Sequence, residues 1–206
     1  MNKSEMKVVE HNSCRLCHSD ELEDLFSLGN QYINNFVPKE LIGEGLKAPL
    51  DLAMCNNCSL IQLKHTAPQE LLYSRYYWYR SGVTETMRNE LRDITRAIEN
   101  EIPLKDGDVV LDIGANDGTL LQSYSNQKLK CVGCEPADNL IDSLSDTTDY
   151  VMHDFWSHES YVNQQEKWNI VKSKVITAIG MFYDLEDPNQ FIRDAQKCLA
   201  EDGIFV

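Results

Sequence analysis

From Lys105 onward the apolar residues come in short runs separated by stretches of helical periodicity. DVVLDI (108–113), CVGCEP (131–136), YVMHDF (150–155), KVITAIGMF (174–182) and GIFV (203–206) read as strands. Between them DNLIDSLS reads as a helix, as does DPNQFIRDAQKCLAEDG, which carries Phe191, Ile192, Ala195, Cys198 and Leu199 on one side. TLLQSYSN, after the first strand, also has a helical look. Strands alternating with helices predict an α/β domain with a parallel, doubly wound sheet of the Rossmann-like kind. Ahead of it, Met87, Leu91, Ile94 and Ile98 recur at three- and four-residue steps, with Thr84 placed to cap a helix and Pro103 to bound it. Residues 1–80 lack such periods and read as short strands and loops, with turns at Gly29–Asn30, Asn34–Asn35, Pro38, Gly43 and Pro49. The pattern thus predicts a small domain over 1–80 and a larger one over 81–206. The last strand runs apolar into Val206, so the sequence is expected to be part of a longer protein.

Charge narrows the function classes. The formal net charge is −14, carried mostly by residues 81–206, which hold 11 Lys/Arg against 23 Asp/Glu. Nucleic-acid binding needs a basic footprint to neutralise phosphates, and this chain has none of note. No apolar run approaches bilayer length and the N-terminus has no apolar signal core, so no membrane partner and a cytoplasmic location are expected. In that reducing compartment the seven cysteines point to metal ligation or burial, not disulfides.

The cysteines form recognisable groups. Cys14/Cys17 and Cys55/Cys58 are two Cys-x-x-Cys pairs, a spacing that lets a tight turn aim both sulfurs at one ion. Together they are expected to supply a four-thiolate zinc site, with His18 a less favoured substitute ligand; an iron–sulfur site and four unrelated buried cysteines are the alternatives. A third such spacing, Cys131/Cys134, lies inside a predicted strand, where residues three apart face opposite sides, so both are expected to be buried without metal. Cys198 falls on the apolar side of its helix and belongs to the core.

The second centre is LDIGANDGTLL (111–121), a strand, a loop with Gly114 and Gly118, and a helix in direct succession. Glycines there let the backbone bend sharply and approach a ligand. A dinucleotide turn would carry Gly-x-Gly-x-x-Gly under a pyrophosphate. Here Asp117 occupies the loop and Asp112 precedes it, and this negative charge repels a pyrophosphate but suits the ammonium and sulfonium of S-adenosylmethionine; Asn116, between the glycines, is a further candidate to hold that cofactor. Glu135, ending the second strand, is placed to accept hydrogen bonds from ribose hydroxyls. Asp154 is placed to meet the adenine amino group, with Phe155 or Trp156 against the ring, and His153 is expected to be a packed strand residue.

These residues resemble the sugar C-methyltransferase family, through CRLC (14–17), PLDLAMCNNCSLIQL (49–63), YYWYRSG (76–82), LDIGANDGTLL, CEPADN (134–139) and MFYDLEDP (181–188). The resemblance implies a zinc-binding N-terminal domain, a class I methyltransferase domain using S-adenosylmethionine, and a nucleotide-linked keto-deoxysugar as substrate. It also implies a further C-terminal domain holding the general base, which this sequence lacks, so the chain alone is expected not to turn over substrate. Carbon methylation requires an enolate, whose charge needs hydrogen-bond donors. Tyr76 and Tyr79, with Ser81 nearby, and Tyr183 after the fourth strand are the candidates in this sequence. Arg75, Arg80 and Lys64 are candidates for the substrate's diphosphate. The competing readings are methyl transfer to oxygen or nitrogen of a small molecule, and a zinc-binding scaffold without catalysis.

Overall fold

A computed structural model describes residues 7–33, 39–43, 45–74 and 76–206. The turns expected at Asn34–Asn35 and Pro38, and Arg75, lie outside the described residues. The chain divides into two units, Met1–Ser74 with Glu186–Asn189, and Arg75–Leu185 with Gln190–Val206.

In the first unit β1 (Val9–Glu10) pairs antiparallel with β5 (His65–Thr66). A second, three-stranded antiparallel sheet runs in the order β2 (Leu22–Tyr32), β3 (Lys47–Cys55), β4 (Ile61–Leu63). The turn expected at Gly29–Asn30 is instead a bulge inside the 11-residue β2, where the register shifts between Ser27 and Asn30 and Gly29 takes φ +67°. A glycine can absorb an extra residue in a strand without reversing it. Among the described hydrophobic residues of this unit only Cys14, Ala53 and Cys55 are buried, while Phe26, Leu28 and Tyr32 are exposed.

The second unit opens with α1 (Glu85–Glu101), capped by Thr84 Oγ1 accepting from Met87 N–H, with Leu91 and Ile98 buried. Its sheet is wholly parallel, ordered β10 (Leu199–Phe205), β9 (Ser173–Thr177), β6 (Val109–Ile113), β7 (Lys130–Cys134), β8 (Tyr150–Met152). Counted from β6 this is 3-2-1-4-5, the doubly wound order, which reverses between β6 and β9 and puts the ligand crevice beyond their carboxyl ends. Strand alternation splits the core. Val109, Leu111 and Ile113 face a cluster with Tyr161 of α3 (His158–Trp168) and with Phe191, Ala195 and Cys198 of α4 (Pro188–Cys198). Val110 faces the opposite cluster, with Leu91 and Ile98 of α1 and Leu144 of α2 (Ile141–Ser145). Cys131 and Cys134 divide between those two clusters and Cys134 and Cys198 are buried, as expected, whereas Cys131 is only half-buried.

Several elements differ from the sequence reading. TLLQSYSN forms only a single 3-10 turn at Leu121–Ser123. Two of its serines make bonds that compete with a helical ladder: Ser123 Oγ donates to Thr119 O at 2.8 Å, and Ser125 donates its N–H and its Oγ to the Glu99 carboxylate, each at 2.8 Å. YVMHDF is a strand only over Tyr150–Met152, and KVITAIGMF ends at Thr177 before Gly180 at φ +71°. Ile192 is 43% exposed while Asp194 takes a buried place on α4, accepting from Gln190 at 2.8 Å and Lys197 at 3.1 Å. His153 is exposed and pairs with Asp138 at 3.0 Å, so it is not a packed residue. Helix α3 has no counterpart in the reading, because Tyr161 is the one buried residue on a face otherwise polar and aromatic.

Candidate functional site

In the first unit the two cysteine pairs sit on matching turns. His18 N–H donates to Cys14 O at 3.0 Å and Ser59 N–H to Cys55 O at 2.8 Å. The residue after each pair, His18 at φ +60° and Ser59 at φ +64°, is left-handed. Cys14 N–H then bonds Ser19 O and Cys55 N–H bonds Leu60 O, closing each turn. Four sulfurs result within 4.8 Å of one another, with Cys14–Cys58 and Cys17–Cys55 both at 3.6 Å. A zinc ion holding thiolates at about 2.3 Å spaces them about 3.8 Å apart, so the set fits that ion. The Asn57 amide donates to Cys17 Sγ at 3.4 Å and, with the Ser19 backbone, draws that thiol down to about 6. His18 is not in the cluster.

In the second unit the sharp bend follows β6. Gly114 takes φ +75° and Gly118 φ +80°, with Asn116 between them at φ +54°. A side chain at Gly114 would meet Met181 Cγ at 3.2 Å, and one at Gly118 would overlap Thr147. The turn is therefore packed against the loop after β9 on one side and the end of α2 on the other. Asp112 is buried beneath it, where Thr177 Oγ1 donates to its Oδ1 at 2.6 Å and ties β6 to β9. Burial pushes its carboxyl up to about 7, against the Thr177 hydrogen bond and with help from Glu135.

That shift has a definite sign. The folded protein binds the Asp112 proton more tightly than the unfolded chain, so its contribution to stability falls as pH rises from about 4 to about 7 and stays low above that. Asn keeps an acceptor for Thr177 and carries no charge. Asp112→Asn is expected to raise Tm relative to the unsubstituted protein, with a gap that widens between pH 4 and pH 7 and is then constant. Parallel Tm-against-pH curves would show that the carboxyl does not titrate in this way.

Glu135, 5% exposed, joins two loops. Its Oε2 accepts from Asn116 N–H and its Oε1 from Ala137 N–H, both at 2.9 Å. Burial raises its pKa against those two donors. Asp117 holds Gly82 N–H through Oδ2 at 2.9 Å and Thr119 Oγ1 through Oδ1 at 2.6 Å. Asp154 lies past the end of β8 and is exposed, accepting from Phe155 N–H at 2.8 Å, with half-buried Phe155 beside it.

Residues 76–80 form a strap held to the loops after β6 and β7, and it ends in a turn at Ser81–Gly82. Asn116 accepts from Ser81 N–H at 2.9 Å and donates to Tyr79 O at 3.1 Å. The strap's rings alternate: Tyr76 meets Trp78 at 4.5 Å with the planes tilted by 54°, and Tyr77 meets Tyr79 edge-on at 6.5 Å. Tyr76 and Tyr79, read together from the sequence, are thus not brought together; Tyr77 is the partner of Tyr79. Tyr183 is 80% exposed on the 3-10 turn Phe182–Asp184 after β9. Burial raises the pKa of the Tyr77 phenol, reinforced by the charges of Asp184, Tyr183 and Glu135. Arg80 reaches Ser143 Oγ and Asn139 O, both at 3.0 Å, and Lys64 pairs with Asp24 at 3.0 Å, so both cations are engaged within the protein. Tyr77 and Asn139 escaped the sequence reading. The alternation of YYWY in an extended segment was the signal for the first; Asn139 offered none.

A parallel doubly wound sheet with an acid-lined glycine bend at its switch point, following a unit built around a four-thiol cage, defines a class I methyltransferase fold with a zinc-binding N-terminal part. Residues 83–206 match the family model "Methyltransferase domain", and the chain belongs to that family. Residues 14–73 match the model "Putative zinc binding domain". C-methyltransferase NovU of Streptomyces niveus is 24% identical over 194 residues, 93% of this chain but 46% of that relative's length. Among solved structures, the plantazolicin methyltransferase BamL with a triazolic desmethylPZN analog and SAH covers 59% of this chain and 46% of its own, at 17% identity and TM-score 0.45. A SAM-dependent methyltransferase from Geobacter sulfurreducens with S-adenosyl-L-homocysteine covers 63% and 49%, at 16% identity and TM-score 0.41. No helix among the described residues is long and apolar enough to cross a membrane.

Proposed function

We propose that this chain forms the zinc-binding and methyl-donor-binding parts of an S-adenosylmethionine-dependent enzyme that methylates a carbon of a nucleotide-linked keto-deoxysugar. The observation that carries the reading is Glu135 at the end of β7, beside an acidic bend at the sheet's switch point. That is where a carboxylate takes up ribose hydroxyls and where negative charge favours a sulfonium. S-adenosylmethionine supplies an electrophilic methyl group when bound there. Glu135 would hold its ribose, the bend at Gly114 would lie against its amino-acid end, and Asp154 and Phe155 would border its adenine. The relation to a C-methyltransferase over nearly the whole chain supports carbon as the acceptor. The sugar follows from the family resemblance of the quoted motifs. On the acceptor side, phenols at Tyr77, Tyr79 and Tyr183 offer donors for an enolate oxygen, which needs stabilisation as charge builds up. Tyr76, on the Trp78 side of the strap, is the weaker of the candidates.

Calorimetric titration of zinc-loaded protein with S-adenosylmethionine is expected to give a one-to-one binding isotherm. Absence of both heat and thermal shift would remove the methyl-donor reading. With a 13C-methyl donor and a nucleotide-linked keto-deoxysugar, the native enzyme is expected to give a product whose labelled methyl couples to a ring carbon. An O- or N-linked signal would assign a different acceptor.

A further inference from the structure

Asn139, in the 3-10 turn Asp138–Leu140, uses both ends of its carboxamide on one residue of the strap. Its Oδ1 accepts from Tyr77 N–H at 2.8 Å and its Nδ2 donates to Tyr77 O at 3.1 Å. The strap grips the same segment in return, since Arg80 Nη2 donates to Asn139 O and Nη1 to Ser143 Oγ. Further along, Asn116 repeats the two-ended clamp on Tyr79 O and Ser81 N–H. An extended strand alternates its side chains, so fixing the backbone at Tyr77 fixes which rings face which way. With this register Tyr77 and Tyr79 share a side and Tyr76 and Trp78 share the other.

We propose that Asn139 is a positioning residue for the acceptor side of the site, its carboxamide setting the backbone of Tyr77 so that Tyr77 and Tyr79 stand together beside the glycine bend. The words "acceptor side" rest on the methyl-transfer reading; the clamp itself does not. Glu135 already joins the loop bearing Asn116 to Ala137, two residues before Asn139. Both clamps are thus anchored to loops that meet on the carboxylate assigned to the donor, and the strap acts through them without itself holding the donor. A one-residue slip would exchange Tyr77 and Tyr79 for Tyr76 and Trp78.

The test compares Asn139→Ala and Asn139→Asp in the whole chain by amide hydrogen exchange and by ring-to-ring nuclear Overhauser contacts. In the unsubstituted protein Tyr77 N–H is expected to be protected and the Tyr77–Tyr79 contact present. Asn139→Ala removes the acceptor, and Tyr77 exchange is expected to rise at least about tenfold with loss of the ring contact. Asn139→Asp keeps an acceptor for Tyr77 N–H and loses the donor, so protection is expected to fall between the two. S-adenosylhomocysteine affinity is expected to change by less than about threefold in both variants, whereas misplacement of the tyrosines in the native enzyme lowers kcat about 10–100-fold. Unchanged Tyr77 exchange and a retained ring contact in either folded variant overturns the proposal, as does a loss of S-adenosylhomocysteine affinity equal to the loss of kcat. If the unsubstituted protein binds no S-adenosylhomocysteine, the methyl-donor reading fails while the exchange comparison still decides the clamp.

Discussion

Removing the metal with a chelator is expected to unfold the N-terminal unit and leave the parallel sheet folded. The expectation follows from what that unit buries. Two of its three buried described hydrophobic residues, Cys14 and Cys55, are themselves members of the thiol cage, and the third, Ala53, lies two residues before Cys55 on β3. The antiparallel sheet of β2, β3 and β4 leaves Phe26, Leu28 and Ile61 more than half exposed. So little apolar area cannot offset the ordering entropy of the chain. A structural four-thiolate zinc site contributes about 10–16 kcal/mol of apparent binding free energy, more than the whole stability of many domains. The second unit has its own two-sided core around β6 and does not depend on the ion. Hydrogen exchange read element by element after chelation checks this: β2 and β3 should lose protection while β6, β7 and β9 keep it. Cys55→Ser should behave as the chelated protein does. Retained protection across β2 and β3 without metal would mean the sheet is self-sufficient.

The second large effect is expected at Glu135. Glu135→Ala leaves Asn116 N–H and Ala137 N–H buried without their acceptor. Each such orphan costs about 1–3 kcal/mol, so the substitution should destabilise the unit by about 2–6 kcal/mol. The same change removes the proposed ribose acceptor, and S-adenosylhomocysteine affinity should fall by at least about a hundredfold. Glu135→Gln separates the two roles. The amide keeps one acceptor oxygen and turns an NH2 toward the other backbone N–H, so stability should fall by less while affinity still drops about tenfold or more. Thermal melts with calorimetry on both variants decide it. Equal affinity in the Gln variant and the unsubstituted protein would show that the carboxylate serves the loops alone.

What the sequence made legible was whatever a local period or a rigid spacing enforces. The strands around the sheet's centre were readable because VVLDI is buried on both faces and is apolar at every position but Asp112. The thiol pairs were readable because their spacing permits few alternatives, and α1 because Thr84 caps a clean apolar stripe. Tertiary effects were not readable. The 3-10 turn after Gly118 exists because Ser123 and Ser125 find partners nearby, Ser125 on the distant Glu99. Helix α3 buries a single large residue, so its pattern is too sparse to show a period. The acids read around the bend also bind parts of the chain together, Asp112 through Thr177 and Asp117 through Gly82, links that depend on residues near only in space.

The matching turns of the first unit have a consequence for how the chain tolerates variation. Each turn donates two sulfurs, so an ion between them acts as a cross-link that closes the whole excursion through β2 and β3 into a ring. Closure entropy grows only logarithmically with ring size. Lengthening the β2–β3 connection should therefore cost little, whereas a single residue inserted between Cys14 and Cys17, or between Cys55 and Cys58, would misalign two of the four thiols at once.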